Sequence, residues 1–292
     1  GSGKTTVMAA RVLWAVGTGQ CAPDEIVGLT FTKKAAGELG ARVRTLLDKL
    51  YEDFPPVGLD DGEAGSPLVS TYHAFAHQFV AEHGLRIGVE PGARLLSETE
   101  SLQEAYRVVV NTDYPLTAIG LSPASLAEVV VKLDQQLSEH LTTPHELREH
   151  DQALIERVGG LPKTVKDDRA LAETAAKRIQ LSFLVEEYRE RKQGEGAVDF
   201  ADVLRLGHQL AGRQDVQEIF HSRVRMTLLD EYQDTSVVQA ELLAPLIGPE
   251  GSVTAVGDPL QAIYSWRGAG ADAMADFARH FAGDGVEPLV LP

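Results

Sequence analysis

Leu228-Leu229-Asp230-Glu231-Tyr232-Gln233-Asp234-Thr235 is the stretch that decides the fold. A short apolar run beginning at Thr227 has strand character and ends in two adjacent acids. Asp230 is therefore expected at the C-terminal edge of a sheet, where ligands bind in open α/β folds. An aspartate there can hold Mg²⁺, directly or through water, and Glu231 can polarise an attacking water as a general base. The chain opens with Gly1-Ser2-Gly3-Lys4-Thr5-Thr6, the back half of a G-x-x-x-x-G-K-[ST] phosphate loop. Lys4 fits the β- and γ-phosphates as a compact charge, and the Thr5 hydroxyl fits Mg²⁺. The N–H groups of Ser2, Gly3 and Lys4 open the next helix and add its positive end to the anion site, with Gly1 and Thr6 flanking it. Each stretch alone has a plainer source, a glycine turn before a helix or acids on a solvated loop. Their occurrence together implies nucleoside triphosphate hydrolysis.

Working outward, Val256-Gly257-Asp258-Pro259-Leu260-Gln261 follows another apolar run in the same style. This places Gln261 near the same sheet edge, where a neutral amide can bond both a γ-phosphate oxygen and a water and so report an intact triphosphate. Tyr264, Trp266 and Arg267 come next. Aromatic rings in a loop can stack on unpaired bases whatever their identity. The plainer reading of Tyr264 and Trp266 is as core aromatics; the loop setting beside Gly268 favours stacking. A phosphate sensor a few residues from a base-stacking surface is the physical basis of a motor. Phe31-Thr32-Lys33-Lys34 and Thr71-Tyr72-His73, each after a predicted strand, can present rings, hydroxyls and cations to a nucleic-acid strand. Thr71 can equally cap a helix, and His73 reads as readily as an ordinary loop histidine.

The rest of the chain is organised around these stretches. Helices are predicted over 5–16, 33–50 and 74–82, and strands over 26–31 and 68–71, an alternation that implies a parallel sheet with helices on both faces. Residues 97–190 are nearly all helical, with breaks at Pro115, Pro123, Pro144 and Gly159-Gly160. Ser97-Glu98-Thr99-Glu100 reads as a helix start, and Gly194-Glu195-Gly196 as a hinge or loop. Strand and helix alternation then resumes. The expected fold is α/β, with a helical insertion interrupting the sheet: core over 1–83 and 198–292, insertion over 84–197. The run Glu186 to Lys192 is expected to be a solvated helix face with i,i+4 pairs. The 292 residues carry a net charge of −16, which argues against a generic nucleic-acid coat protein. The first fifty residues, however, carry seven basic and four acidic groups, so a basic surface can be local. A single cysteine, Cys21, excludes an internal disulfide framework and fits a cytoplasmic setting. No apolar run is long enough to span a membrane. No Cys/His cluster has zinc-site spacing, and His140, His145 and His150 fall off one helical face. A full phosphate loop begins before Gly1, and the strand that feeds it is expected upstream. Val286 to Pro292 is strand-like with no helix after it, so the chain is expected to be a piece of a longer polypeptide.

The blocks GSGKT, LTFTKKAAGELGARV (Leu29–Val43), STYHAFA (Ser70–Ala76), VDFADVL (Val198–Leu204), LLDEYQDT and AVGDPLQAIYSWRGA (Ala255–Ala269) resemble the UvrD/Rep/PcrA-like helicases of superfamily 1, in the family's order and across essentially the whole chain. The resemblance implies a RecA-like motor domain with an inserted all-helical subdomain. It implies ATP and Mg²⁺ as cofactors, and single-stranded and duplex DNA as partners in repair or recombination. It also implies 3′-to-5′ translocation, and a second RecA-like domain of the same polypeptide carrying arginine fingers. By the same resemblance Lys4, Thr5, Asp230, Glu231 and Gln261 are the nucleotide and Mg²⁺ positions. Phe31, Thr32, Lys33, Thr71, Tyr72, His73, Tyr264 and Trp266 are strand contacts, and Arg267 stands near the junction of nucleotide and DNA. The chain departs from the family at Lys33, where Asn is usual, at Gly40, where a basic or polar residue is common, and at Tyr72 and Tyr232, which replace Phe; Asp258-Pro259 replaces a more acidic run. The family's adenine-reading glutamine segment is not in this chain. Two other readings remain open. One is the motor of a helicase–nuclease subunit; the other is an ATP-gated interaction module that does not move along DNA.

Overall fold

The computed structural model describes residues 3–54, 65–248, 251–262 and 273–281. In chain order its helices are α1 (Lys4–Gly17), α2 (Lys33–Asp53), α3 (Tyr72–His83), α4 (Glu98–Asn111), α5 (Pro123–Glu139), α6 (Pro144–Gly159), α7 (Lys166–Gly194), α8 (Phe200–Ala211), α9 (Gln214–Arg223), α10 (Val237–Ile247) and α11 (Ala273–Phe281). Its strands are β1 (Ile26–Thr30), β2 (Leu68–Thr71), β3 (Arg94–Leu95), β4 (Ala197–Val198), β5 (Met226–Leu229) and β6 (Ser252–Ala255). The chain divides into two compact units, one of residues 1–87 with 206–292 and one of residues 88–205.

In the first unit β1 shows no polar alternation, and all five of its residues are buried. Such a strand belongs inside a sheet covered on both faces. It pairs in parallel with β2 on one side and β5 on the other, and β6 lies beyond β5, giving the order β2-β1-β5-β6. Gly28 stands opposite Val69 on one neighbour and Leu228 on the other. Met8, Val12, Leu39, Val43 and Leu47, from α1 and α2, close over Ile26, Met226 and Leu228 on one face. Val27, Leu29, Thr227 and Leu229 alternate to the opposite face and are buried as well. The fold is thus the α/β arrangement that the sequence predicts. Cys21, in the segment after α1, is buried in the α1–α2 core, and burial, helped by the nearby Glu25 charge, pushes its thiol up.

The second unit is built by α4 to α7, the short parallel pair β3-β4 and the first residues of α8. Its core joins Ala105 and Val108 of α4, Leu126 and Val130 of α5, and Leu181, Leu184, Val185 and Tyr188 of α7. Helix α4 begins at Ser97, whose hydroxyl accepts from the Glu100 N–H while the Glu100 carboxylate accepts from the Ser97 N–H. Thr143 and Glu146 start α6 with the same reciprocal pair, while the Ser122 hydroxyl caps α5 by accepting from the Ser125 N–H; each cap is followed by proline in the first helical turn.

The expectation of a solvated face at Glu186 to Lys192 is overturned. Arg189 donates to Asp134 at 2.5 Å and Arg191 to Glu104 at 2.7 Å. Lys192 is only 1 % exposed, with its ammonium 3.0 Å from Asp134, 2.5 Å from Asp199 and 2.6 Å from Asp202. The Tyr188 hydroxyl donates to Asp199 at 2.9 Å. A buried charge requires a partner; Asp134 comes from α5, 58 residues away, and Asp199 and Asp202 from the start of α8, on a different element from the run itself. The signal that was available is the pair of acids set in the apolar run Val198–Leu204. His140, His145 and His150 are exposed. No described helix is long and apolar enough to cross a membrane.

Candidate active site

The C-terminal ends of the parallel strands gather the candidate residues, because each strand there hands its chain to a loop or helix start. The backbone pairing continues past the strands: the Asp230 N–H donates to Leu29 C=O at 2.8 Å, and the Tyr232 N–H to Val256 C=O at 2.9 Å. Between them stands Glu231, in the left-handed region with φ 49° and ψ 43°. A glutamate adopts that conformation only where its surroundings impose it. The Asp234 N–H closes the following turn on Glu231 C=O at 2.9 Å.

Gly3 caps α1 with φ 77°, a conformation open to glycine, and so delivers Lys4 at the first turn of the helix. The Lys4 Nζ then reaches Glu231 Oε2 at 2.8 Å, across 227 residues of sequence. The lysine side chain is 13 % exposed and the glutamate 37 %. Burial works to raise the Glu231 carboxyl, but hydrogen bonds from Lys4 and Gln233 prevail and hold it below the usual range. Asp230 goes the other way: burial first, and then the adjacent Glu231 charge, push its carboxyl up. Two neighbouring carboxylates thus have environments that drive them apart, as is common where acids divide roles. Thr5 is half-buried beside Lys4, and the Thr6 hydroxyl accepts from Arg42 of α2 at 2.9 Å.

Gln233 is a connection that the sequence reading passed over. Its amide nitrogen donates to Glu231 Oε2 at 3.0 Å and to Asp234 Oδ2 at 3.2 Å, while its amide oxygen accepts from the Asp258 N–H at 2.9 Å. Gln261 donates to Asp258 Oδ2 at 2.5 Å. Lys4, Glu231, Gln233, Asp258 and Gln261 therefore form one continuous hydrogen-bonded chain from the phosphate-loop helix to the β6 loop. The clue in sequence was an amide, both donor and acceptor, two residues past the acids. Gly257 makes room for it, since a Cβ there would stand 2.7 Å from Gln233 Oε1.

The ends of β1 and β2 carry the other candidates. The Thr32 hydroxyl accepts from Ala35 N–H at 3.1 Å and the Thr71 hydroxyl from Ala74 N–H at 3.2 Å, so both threonines cap helices. Lys33 and His73 are exposed and Phe31 is half-buried. Tyr72 is only 4 % exposed, packed 5.6 Å from the Phe31 ring, and has no free face for a base. Gly1, Ser2, Tyr264, Trp266 and Arg267 lie outside the described residues. The oxygen donors Thr5 and Asp230, beside the cation Lys4, form a set suited to Mg²⁺ and phosphate, hard ligands for a hard cation and a point charge for the anion.

Comparison with known proteins gives a concordant picture. The sequence model of the UvrD/REP helicase N-terminal domain matches residues 1–282. The chain is 27 % identical over 286 residues to DNA helicase II of Escherichia coli, covering 97 % of this chain and 34 % of that protein. It is 29 % identical over 292 residues to ATP-dependent DNA helicase UvrD1 of Mycobacterium tuberculosis, covering 96 % of this chain and 33 % of that protein. A probable DNA helicase of Mycoplasma pneumoniae is 26 % identical over 270 residues, covering 92 % of this chain and 44 % of that protein. The chain thus spans a third to under a half of the length of these relatives.

Proposed function

The chain belongs to the UvrD/REP helicase family through its N-terminal domain, and from that premise we propose that it is the nucleotide-hydrolysing portion of an ATP-dependent DNA helicase. The observation that carries this reading is the 2.8 Å contact between Lys4 and Glu231, which joins the two ends of the sequence argument at one point.

In the proposed reaction Lys4 exchanges Glu231 for the β- and γ-phosphates, and the freed carboxylate accepts the proton of the attacking water. Glu231 suits that role because Gln233 still donates to its carboxylate once Lys4 has turned to the phosphates, and its left-handed backbone fixes where the side chain starts. Thr5 and Asp230 would hold Mg²⁺, which when bound neutralises charge on the transferring phosphoryl group. The N–H groups opening α1 add the positive helix end. Gln233 holds the Glu231 carboxylate in register with the β6 loop, where Gln261 donates to Asp258 and would sense the γ-phosphate. Phe31, Thr32, Lys33, Thr71 and His73 form the proposed surface for a DNA strand at the ends of β1 and β2; Tyr264 and Trp266 are proposed as further strand contacts, and Arg267 as a contact near the junction of nucleotide and DNA. Residues 88–205 correspond in this reading to the inserted helical subdomain. Translocation 3′ to 5′, a cytoplasmic setting and a role in repair or recombination complete the proposal, with a second motor domain supplying the remaining catalytic arginines.

Glu231→Gln in the longer parent protein keeps the shape of the side chain and removes the base. ATP turnover is expected to fall by roughly 100- to 10,000-fold, with nucleotide affinity retained in equilibrium binding. Turnover close to that of the unaltered protein would overturn the assignment.

A further inference from the structure

We propose that Thr235 is a positioning residue, which through a buried hydroxyl bridge to Tyr72 carries the occupancy of the DNA surface to the turn that holds Glu231. This inference rests on the function proposed above.

The bridge is formed by two side chains with no access to water. Thr235 is 2 % exposed and Tyr72 is 4 % exposed. The Thr235 Oγ1 donates to the Tyr72 hydroxyl at 3.3 Å, across 163 residues of sequence. A buried hydroxyl left without a partner is costly, so the two groups hold each other in place. Burial pushes the Tyr72 phenol up, which keeps it neutral and a hydrogen-bonding group at all ordinary pH.

Each end of the bridge is rigidly tied to a different piece of chemistry. Tyr72 is the first residue of α3, directly after Thr71 and before the exposed His73. Its ring lies against Phe31 at 5.6 Å between centroids and 58° between planes. A strand bound over Phe31 and His73 therefore presses on a ring whose hydroxyl is already engaged. At the other end the Thr235 N–H donates to Tyr232 C=O at 3.0 Å and closes the turn that overlaps the one starting from Glu231. That turn carries Gln233, which itself bonds the Glu231 carboxylate at 3.0 Å. A shift of Tyr72 therefore acts on the far end of the short turn whose near end is the left-handed Glu231. Packed interiors move between discrete arrangements rather than deforming smoothly, so small displacements are transmitted.

The test uses the longer parent protein, with ATP turnover measured with and without oligo(dT). Thr235→Val removes the hydroxyl at nearly constant shape. The expected result is a loss of about fivefold in DNA-stimulated kcat, the rate equivalent of one hydrogen bond of roughly 1 kcal/mol. Basal kcat, KM for ATP and the oligonucleotide concentration for half-stimulation should stay within twofold of the unaltered values. Thr235→Ser, which restores the hydroxyl, should recover the stimulation. Tyr72→Phe should lower stimulation by the same factor, and the double variant should add nothing further. Should Thr235→Val fail to fold, the comparison of Tyr72→Phe with the unaltered protein decides the matter. Stimulation kept within twofold in the single variants, losses that multiply in the double variant, or an equal fall in basal turnover would each overturn the bridge as a coupling element. Turnover in the unaltered protein that ignores DNA would overturn the function proposed above, and the bridge with it.

Discussion

At the residue scale, the geometry of the candidate site depends on two backbone positions as much as on charged groups. Glu231 is held at φ 49° by the pairing on both sides of it, and Gly257 is required by crowding rather than by its own conformation. A Cβ on Gly257 would meet Gln233 Oε1 and Met274 Sδ, each at 2.7 Å, and the Gln233 N at 3.2 Å. Gly257→Ala is therefore expected to push the Gln233 amide off Glu231 and Asp258. The expected cost is about 1–3 kcal/mol in thermal unfolding, the usual penalty of overpacking, together with slower ATP turnover. Unchanged melting and turnover would show that Gln233 is not held by that contact. The acids themselves were legible from their place at the end of an apolar run, and the lysine from its glycine loop. Gln233 was not legible, because its role depends on a backbone N–H of Asp258 brought alongside by β6.

At the scale of elements, the sheet and most helices follow from local pattern. Strand β2 falls on the predicted residues, and the predicted span 33–50 lies within α2. Helices α9 and α11 and the two-residue strands β3 and β4 were not read. A strand of two residues carries no periodicity, and α9, with ten residues, carries only a weak repeat. The larger miss was the charge character of α7, where a run rich in Glu, Arg and Lys hides a buried lysine. Burial by itself would lower the Lys192 ammonium, but Asp134, Asp202 and Asp199 overrule it and raise it. Burial would likewise raise Asp202, yet Lys192 holds it below the usual carboxylate range, while burial and the Asp202 charge raise Asp199. Because Asp202 is depressed, its contribution is complete above its ordinary value of about 4 and is lost as pH falls through the lower folded value. Asp199, with its raised value, acts in the opposite sense. Lys192→Met leaves three carboxylates facing one another. The expected loss is about 3–5 kcal/mol in denaturant unfolding of the helical unit. Adding Asp199→Asn should recover part of that loss, and a loss below about 1 kcal/mol would show that the network relaxes around the gap.

At the scale of the whole molecule, the proposed activity depends on more chain than residues 1–292. The chain covers 34 % of DNA helicase II of Escherichia coli and 33 % of UvrD1 of Mycobacterium tuberculosis, so these relatives are about three times longer. In the proposed mechanism an arginine from a second motor domain contributes about 1,000- to 100,000-fold in rate. Residues 1–292 alone are therefore expected to hydrolyse ATP at least about 1,000-fold more slowly than the parent protein under the same DNA stimulation, and to separate no duplex. Robust strand separation by this portion would refute that dependence. The order of strands also has a consequence for how such a protein is made. Strand β5 pairs with β1 from 200 residues further along the chain, and Lys4 meets Glu231 over 227. On the ribosome, the helices of residues 88–205 have all their partners available long before the sheet can close. The first half of the sheet-bearing unit must wait, with its apolar strand β1 unmatched on one edge, until β5 emerges. The proposed hydrolytic competence is accordingly among the last properties the nascent chain can acquire, and until then the open edge of β1 is exposed to mispairing.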